Sequence, residues 1–204
     1  GKTAAIRLMG RVAAVLNLMY EFTATTGPSA FMLQGRTVAS FIGVSPSDMQ
    51  TRVTITDDNT LTIDPLLMAR LSSKEFSFFE KLNVLFIDDA SLLDRRQLFL
   101  LRWLCERHCA SGRRRRGGAP LPIQLVCAGD FRQLPEIIKP HQYLASPRLF
   151  REPLFRSQVW ESMRMEVCCL AENFRHRGDP EFMEILARIG LGLVVESDFL
   201  QLSS

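Results

Sequence analysis

The chain has 204 residues, of which 47% are hydrophobic and 23% charged, a composition typical of a globular protein with a sizeable core. No run of about 18 consecutive apolar residues occurs, which argues against a transmembrane helix. The formal net charge is +3, and arginine supplies most of the basic residues, which is only weak evidence for a nucleic-acid partner.

The first half of the chain alternates between helical and strand patterns. From Thr3 to Met19 apolar residues recur at helical spacing, and "YEFTATTG" (20–27) predicts a short strand. "PSAFMLQGRTVASFIGV" (28–44) predicts a helix, a break at Gly35 and a second short helical piece. Residues 45–80 are more polar, and the alternation in "TITDDNTLTID" predicts a small insert with its own hairpin.

The second half continues this alternation. "LNVLFIDD" (82–89) predicts a strand buried on both faces, as in a parallel sheet. A helix follows, and "IQLVCAGD" (123–130) and "MEVCCL" (165–170) predict two further buried strands. Asp179 and Pro180 begin a last helix, which a glycine at 190 or 192 closes. Alternating strands and helices favour a three-layer α/β fold.

The first three residues, Gly1, Lys2 and Thr3, match the last three residues of a phosphate-binding loop motif. In such a loop the helix N-terminus attracts phosphate, Lys2 reaches the β and γ phosphates, and the Thr3 hydroxyl holds Mg²⁺. The alternative is an accidental tripeptide before an amphipathic helix, since the earlier glycines of the loop do not precede Gly1.

Two adjacent acids, Asp88 and Asp89, end the most apolar predicted strand. A P-loop enzyme needs an acid at the tip of a buried strand to hold the metal, and Asp88 fits that need. Asp89 would polarise the attacking water. The alternative is a charged strand-to-loop turn, and the GKT sequence earlier in the chain favours the catalytic interpretation.

Two later segments also place polar residues after predicted strands. Gln133 in "CAGDFRQLP" would bond the γ-phosphate or the attacking water, and Arg175 in "LAENFRHRGDPEF" would stabilise transition-state charge as an arginine finger. A polar turn and a solvated basic loop are the alternatives. Arg113–Arg116 would contact DNA or form a nuclear-localisation patch, with a solvated loop as the simpler interpretation.

The order and wording of these segments resemble the Pif family of 5′-to-3′ DNA helicases, within helicase superfamily one. "TATTGPSAFMLQGRTVASFIGV" is similar to the family's motif Ia pattern T-A-S-T-G-I-A-A…G-G-T-T-L-H-S-F-A-G-I. "VLFIDDASLLD" is similar to I-I-D-E-x-S-M-x-D of motif II, and "CAGDFRQLPEI" to G-D-F-x-Q-L-P-P-V of motif III. "LFRSQVW" and "LAENFRHRGDPEFMEILARIGLG" resemble the F-x-S-x-x-W segment and the L-x-x-x-F-R-Q-x-D-x-x-F…L-N-x-I-R-x-G block. The resemblance covers essentially all of the chain.

The resemblance implies a domain organisation. Residues 1–150 would form a first RecA-like ATPase domain of the P-loop NTPase type, built on a parallel sheet. A small wedge domain would be inserted at about 45–80, and residues 151–204 would begin a second RecA-like domain. We also expect the missing loop glycines and the later family motifs to belong to a longer protein.

The resemblance further implies a role for individual residues. Nucleotide binding would fall to Gly1, Lys2, Thr3, Asp88, Gln133 and Arg175, with Thr3 and Asp88 holding Mg²⁺. Asp89, Gln133 and Arg175 would act in catalysis. Single-stranded DNA would be gripped by segments containing Thr25, Thr26, Thr37, Ser40 and Phe41, where Phe41 either stacks on a base or belongs to the core.

The function implied is an ATP-dependent helicase that couples hydrolysis to translocation along single-stranded DNA and to duplex unwinding. Its cofactors would be ATP and Mg²⁺, and its partners single-stranded DNA and DNA junctions, with no membrane partner and a monomeric state. The family's roles are in DNA repair, recombination and telomere maintenance. If the protein is eukaryotic, we expect it in the nucleus or the mitochondrion, and we expect that it is not secreted.

Departures from the family pattern leave an alternative open. Asp89 stands where the family has glutamate, one methylene longer; Ala39 replaces a histidine and His176 a glutamine. Because a misplacement of about 1 Å can cost about 100-fold in rate, a shortened base would impair hydrolysis. The alternative is therefore a degenerate nucleic-acid-binding P-loop protein.

Overall fold

The computed structural model describes residues 1–55, 60–73, 78–111, 123–133, 153–170 and 179–202. The chain forms two compact units, Lys2–Val167 and Cys168–Ser204 together with Gly1. The predicted domain boundary at residue 150 lies outside the described residues and stays a prediction. Within the described ranges, no helix is long and apolar enough to cross a membrane.

The elements of the larger unit follow the predicted order closely. In chain order they are α1 (Lys2–Val15), β1 (Tyr20–Ala24), α2 (Gly27–Leu33), β2 (Arg36–Thr37), α3 (Val38–Ile42), α4 (Pro46–Arg52), β3 (Val53–Ile55), β4 (Leu61–Ile63), α5 (Pro65–Leu71), β5 (Val84–Asp88), a 3-10 helix (Ala90–Leu92), α6 (Arg95–Ser111), β6 (Gln124–Cys127), a second 3-10 helix (Leu154–Arg156) and α7 (Gln158–Ser162).

A four-stranded parallel sheet organises this unit, with strand order β2-β1-β5-β6. Ala24 of β1 pairs with Thr37 of β2 on one side and with Asp88 of β5 on the other. Ile87 of β5 pairs with Cys127 of β6. The carboxyl ends of all four strands therefore lie at one edge of the sheet.

Helices cover both faces of the sheet, because β5 is apolar on both sides. Leu85 and Ile87 belong to one core, together with residues of α3 and α6. Val84 and Phe86 belong to a second core on the opposite face, with residues of α1 and α2. These two cores confirm the predicted α/β fold with a parallel sheet.

The predicted insert at 45–80 contains the expected hairpin. Strands β3 and β4 pair antiparallel, with Val53 opposite Ile63 and Ile55 opposite Leu61. The insert also packs on the sheet, since Met49, Val53 and Leu71 share the core of Leu85. The hairpin prediction is therefore confirmed.

Two strand predictions need correction. Residues 165–170 form no strand, and Cys168 and Cys169 are exposed; none of the described strands pairs with this segment to satisfy its backbone hydrogen bonds. Strand β6 exists, but Leu125 and Val126 are only half-buried because β6 ends the sheet within the described residues. It is an edge strand rather than a fully buried one.

The smaller unit contains α8 (Pro180–Leu191) and α9 (Glu196–Leu202). The Asp179 carboxylate caps α8 by accepting a hydrogen bond of 2.9 Å from the Phe182 N–H, and Gly192 ends it with φ +71°. The Arg188 Nε–H donates to both oxygens of the Asp198 carboxylate, at 3.1 and 3.0 Å, and the Val195 N–H also donates to it. These hydrogen bonds lower the pKa of Asp198, and the bond from Arg188 has the largest effect.

Candidate functional site

The predicted metal residues meet at the carboxyl edge of the sheet. Thr3, in the first turn of α1, donates its hydroxyl hydrogen to Oδ2 of Asp88 over 2.7 Å. Oδ1 of Asp88 accepts a 3.0 Å hydrogen bond from the Asp89 N–H. Asp88 is 1% exposed, so its carboxylate is an almost fully buried acid held in a fixed orientation. The structure therefore brings together two groups that sequence separates by 85 positions.

The donor atoms at this contact fit a magnesium ion. A hydroxyl oxygen and a carboxylate oxygen are hard ligands of the kind Mg²⁺ prefers. Among the described residues, no group of three or more His, Cys, Asp or Glu side chains could hold a metal. Two protein ligands suit Mg²⁺, which usually takes its remaining ligands from water and substrate phosphates.

Lys2 begins α1 directly beside this contact and is half-buried. Within the described ranges, its ammonium makes no ion pair or hydrogen bond. The first N–H groups of a helix attract anions, and α1 carries no acidic residue in its first turn to occupy them. The predicted phosphate-binding residues Gly1, Lys2 and Thr3 thus precede and open a helix whose N-terminus adjoins Asp88.

Asp89 turns the chain sharply at the end of β5. Its backbone lies in the left-handed region, at φ 54° and ψ 41°, which aspartate tolerates better than most residues. Its carbonyl oxygen accepts a 3.0 Å hydrogen bond from the Thr25 hydroxyl. Its carboxylate accepts a hydrogen bond from the Ser29 hydroxyl. Asp89 is therefore tied by both backbone and side chain to the segment that follows β1.

Ser29 is the one contact residue here that sequence reasoning missed. It lies in the first turn of α2, three residues after the N-cap Thr26, whose oxygen accepts from the Ser29 N–H at 3.3 Å. Thr26 also donates its hydroxyl hydrogen to the Ser29 hydroxyl over 2.9 Å. A threonine and a serine at this capping spacing, directly after a predicted strand, were the available signal.

The predicted nucleotide sensor Gln133 lies in an exposed turn after β6. Its side-chain Nε2 donates to the Asp130 carboxylate over 3.2 Å, and its backbone N–H donates to the Asp130 carbonyl over 2.9 Å. The same segment adjoins the acid turn, because the Ala90 N–H donates to the Ala128 carbonyl at 2.9 Å. The turn therefore follows a segment that is bonded to the residue after Asp89, and the sensor role stays a prediction.

Four of the predicted DNA residues lie at the same sheet edge as the acids. Thr25 follows β1 and also donates its backbone N–H to the Asp88 carbonyl at 3.3 Å. Thr26 caps α2, and Thr37 caps α3 by accepting from the Ser40 N–H at 3.2 Å. Ser40 is exposed. The three threonine hydroxyls hold the local backbone, and the predicted DNA contacts of all four residues remain predictions.

The base-stacking interpretation of Phe41 is wrong, and its alternative as a core residue holds. Phe41 is 2% exposed and packs against Phe78 and Phe79, with ring centroids 5.4 and 5.1 Å away. The Arg36 guanidinium lies 5.3 Å from its centroid. A ring enclosed in this way presents no face to a nucleobase.

The remaining basic candidates cannot be placed. The predicted arginine finger Arg175, its neighbour Arg177 and the run Arg113–Arg116 lie outside the described residues. Their roles stay predictions. The structure thus brings Thr3 and Asp88 into contact, and it joins the residue after Asp89 to Ala128, which precedes the 130–133 turn.

Comparison with known proteins agrees with this arrangement. The profile of the PIF1-like helicase family matches residues 3–198. The ATP-dependent DNA helicase PIF7 of Trypanosoma brucei brucei is 32% identical over 199 residues, which cover 97% of this chain and 18% of the relative. The chain therefore spans about a fifth of that relative's length.

Solved structures show the same fold. The crystal structure of Bacteroides Pif1 bound to single-stranded DNA aligns with a TM-score of 0.67 at 23% identity, over 100% of this chain and 43% of that one. Bacteroides sp. Pif1 in complex with ADP-AlF4 aligns with a TM-score of 0.66 at 22% identity, over 97% of this chain and 41% of that one. Almost all of this chain therefore matches less than half of each of these two α/β structures.

Proposed function

The chain belongs to the PIF1-like helicase family, and we propose that it supplies the nucleotide site and part of the DNA-binding surface of an ATP-dependent 5′-to-3′ DNA helicase. The observation that carries this proposal is the hydrogen bond between Thr3 and the buried Asp88. In this proposal the bond joins the end of a phosphate-binding loop to the acid at the end of a buried strand, and P-loop enzymes use such a pair to hold Mg²⁺.

In this proposal Lys2 and the N-terminus of α1 bind the β and γ phosphates of ATP. Thr3 and Asp88 would hold Mg²⁺, which supplies neutralising charge at the β and γ oxygens. Burial keeps the Asp88 carboxylate in one orientation, and its bonds to Thr3 and to the Asp89 N–H fix both oxygens before nucleotide arrives. Preorganisation of this kind avoids reorganisation during the reaction.

The remaining residues act on the water and on transition-state charge. Asp89 orients the attacking water and accepts its proton, while Gln133 senses the γ-phosphate. Arg175 is proposed as the arginine finger. Support for the first two comes from their position at one sheet edge, where Ala90 and Ala128 join the two turns.

The DNA-binding part of the proposal rests on Thr25, Thr26, Thr37 and Ser40. They lie at or directly after the carboxyl ends of β1 and β2, where ligands bind in open parallel sheets. Their hydroxyls would contact the sugar–phosphate backbone of single-stranded DNA, and hydrolysis would drive translocation and unwinding. Arg113–Arg116 is a further proposed contact.

Several wider features are proposed on the resemblance alone. Residues 45–80 would act as a wedge domain, and 151–204 would begin a second RecA-like domain. The intact protein would act as a monomer on single-stranded DNA and junctions, in DNA repair, recombination and telomere maintenance. It would do so in the nucleus or mitochondrion.

The proposal is tested by DNA-stimulated ATP hydrolysis in the longest natural form of the protein that carries this segment. We expect Lys2→Ala to lower kcat by at least about 100-fold, the typical cost of removing one charge-stabilising donor. The matched control is Lys81→Ala, because Lys81 is exposed and precedes β5 at the end opposite Asp88. Equal activity of the two variants and the wild type would refute the proposal.

A second candidate is a nucleic-acid-binding P-loop protein with impaired hydrolysis. The observation that favours it is Asp89 itself, whose short carboxylate is bonded to Ser29 rather than free. Under this alternative the wild type binds single-stranded DNA in a salt-sensitive manner but does not hydrolyse ATP. Asp89→Glu then restores ATP hydrolysis. Robust wild-type hydrolysis excludes it.

A further inference from the structure

The strongest unassigned feature of the site is a row of three hydroxyl and carboxyl groups that links α2 to the acid turn. Thr26 donates to the Ser29 hydroxyl at 2.9 Å, and Ser29 in turn donates to Oδ2 of Asp89. The direction of donation is the same along the row. Each hydroxyl therefore strengthens the next bond, because a hydroxyl that accepts a hydrogen bond donates a stronger one.

Asp89 depends on this contact more than a longer acid would. Its backbone is fixed in the left-handed turn, and its carboxylate has one methylene to reach its partner. The motif patterns given above carry alanine at the position of Ser29 and glutamate at that of Asp89. The chain thus departs from the pattern at both ends of one hydrogen bond, and the added hydroxyl meets the shortened acid.

We propose that Ser29 is the positioning residue for Asp89: it holds the shortened carboxylate at the place from which it orients the attacking water. The proposal rests on the proposed function, in which Asp89 acts on water. In this role Ser29 acts through Asp89 rather than on the nucleotide itself. Because Thr26 holds Ser29 and is a proposed DNA contact, the same row connects the DNA segment to the hydrolytic acid.

The test is a double-mutant cycle on DNA-stimulated ATP hydrolysis in the longest natural form of the protein. We expect Ser29→Ala to lower kcat by about 10- to 100-fold with little change in the KM for ATP, since a misplaced acid affects the step rather than binding. Ser29→Thr keeps the hydroxyl and should retain most of the rate. In the Asp89→Glu background, Ser29→Ala should cost far less, because the longer acid needs no such support.

A control and three outcomes complete the test. Ser162→Ala removes a hydroxyl that also bonds a charged side chain, Arg102, outside the proposed site, and should leave kcat unchanged. A Ser29→Ala rate equal to wild type, or an equal loss in both backgrounds, overturns this inference alone. A wild type without DNA-stimulated turnover overturns both this inference and the proposed function.

Discussion

Replacing Gly129 by alanine should move the acid turn, because the end of β6 lies against it with no room for a side chain. A Cβ added at Gly129 would lie 2.9 Å from the Ser91 backbone nitrogen, 3.1 Å from that of Ala90 and 3.3 Å from the Ala90 Cβ. Two of these are backbone atoms, which cannot rotate away. The turn must therefore shift by a few tenths of an ångström. Asp89 should shift with it, because it directly precedes Ala90 in the chain.

The cost follows from this crowding. Overpacking of a close contact typically lowers the free energy of unfolding by about 1–3 kcal/mol. If a misplacement of about 1 Å costs about 100-fold in rate, a shift of about 0.3 Å costs roughly fourfold in kcat on the same exponential scale. We expect both losses in Gly129→Ala, measured by urea unfolding followed by circular dichroism and by DNA-stimulated ATP hydrolysis.

Gly27 offers a matched control for the unfolding measurement. It begins α2, and a Cβ there would meet nothing within 4 Å. Gly27→Ala should leave stability unchanged or raise it by about 0.4–1 kcal/mol, because alanine loses less backbone entropy on folding. The reasoning is refuted if Gly129→Ala unfolds at the same urea concentration as Gly27→Ala.

Two further predictions concern residues outside the catalytic contact. Phe41→Ala should lower the free energy of unfolding by about 3–5 kcal/mol, because the ring is 2% exposed. The affinity of the folded variant for single-stranded DNA should not change. Weaker DNA binding without a loss of stability would instead support base stacking by Phe41. The Arg188–Asp198 contact should stabilise the α8–α9 unit above pH ~4 and lose that effect as pH falls, because the lowered pKa of Asp198 means that the unfolded state binds protons first. Urea midpoints against pH should flatten in this range for Asp198→Asn, and an identical pH dependence would contradict the assignment.

The sequence predicted the sheet well because its strongest strand carries its own signal. Val84 to Ile87 are apolar on both faces, as is typical of a strand in a parallel sheet that is covered on both sides. Residues 165–170 are also mostly apolar but form no strand. Apolar composition predicts a strand only where a neighbour exists to complete the backbone hydrogen bonds.

The sequence also predicted some of the site residues but not others. Motif wording located Thr3 and Asp88, whose contact is set by where α1 begins and β5 ends. It could not decide between the two interpretations of Phe41, because stacking and core packing demand the same residue type and differ only in exposure. Ser29 was missed for a related reason: a serine in the first turn of a helix is ordinary, and only the fold shows which acid it faces.

Under the proposed function, the register of the sheet would link DNA binding to ATP hydrolysis. Ala24 pairs with Asp88, so Thr25 lies beside the acid turn and bonds it through both its N–H and its hydroxyl. This register places the residues that follow β1, Thr25 and Thr26, next to the turn that follows β5. A phosphate that draws the Thr26 hydroxyl away from Ser29 therefore changes the groups that hold Asp89, without any movement of the strands. Such a coupling requires only that the Thr26 hydroxyl exchange one hydrogen-bond partner for another at the sheet edge. Thr26 is therefore the residue at which a loss of DNA stimulation should separate from a loss of basal hydrolysis.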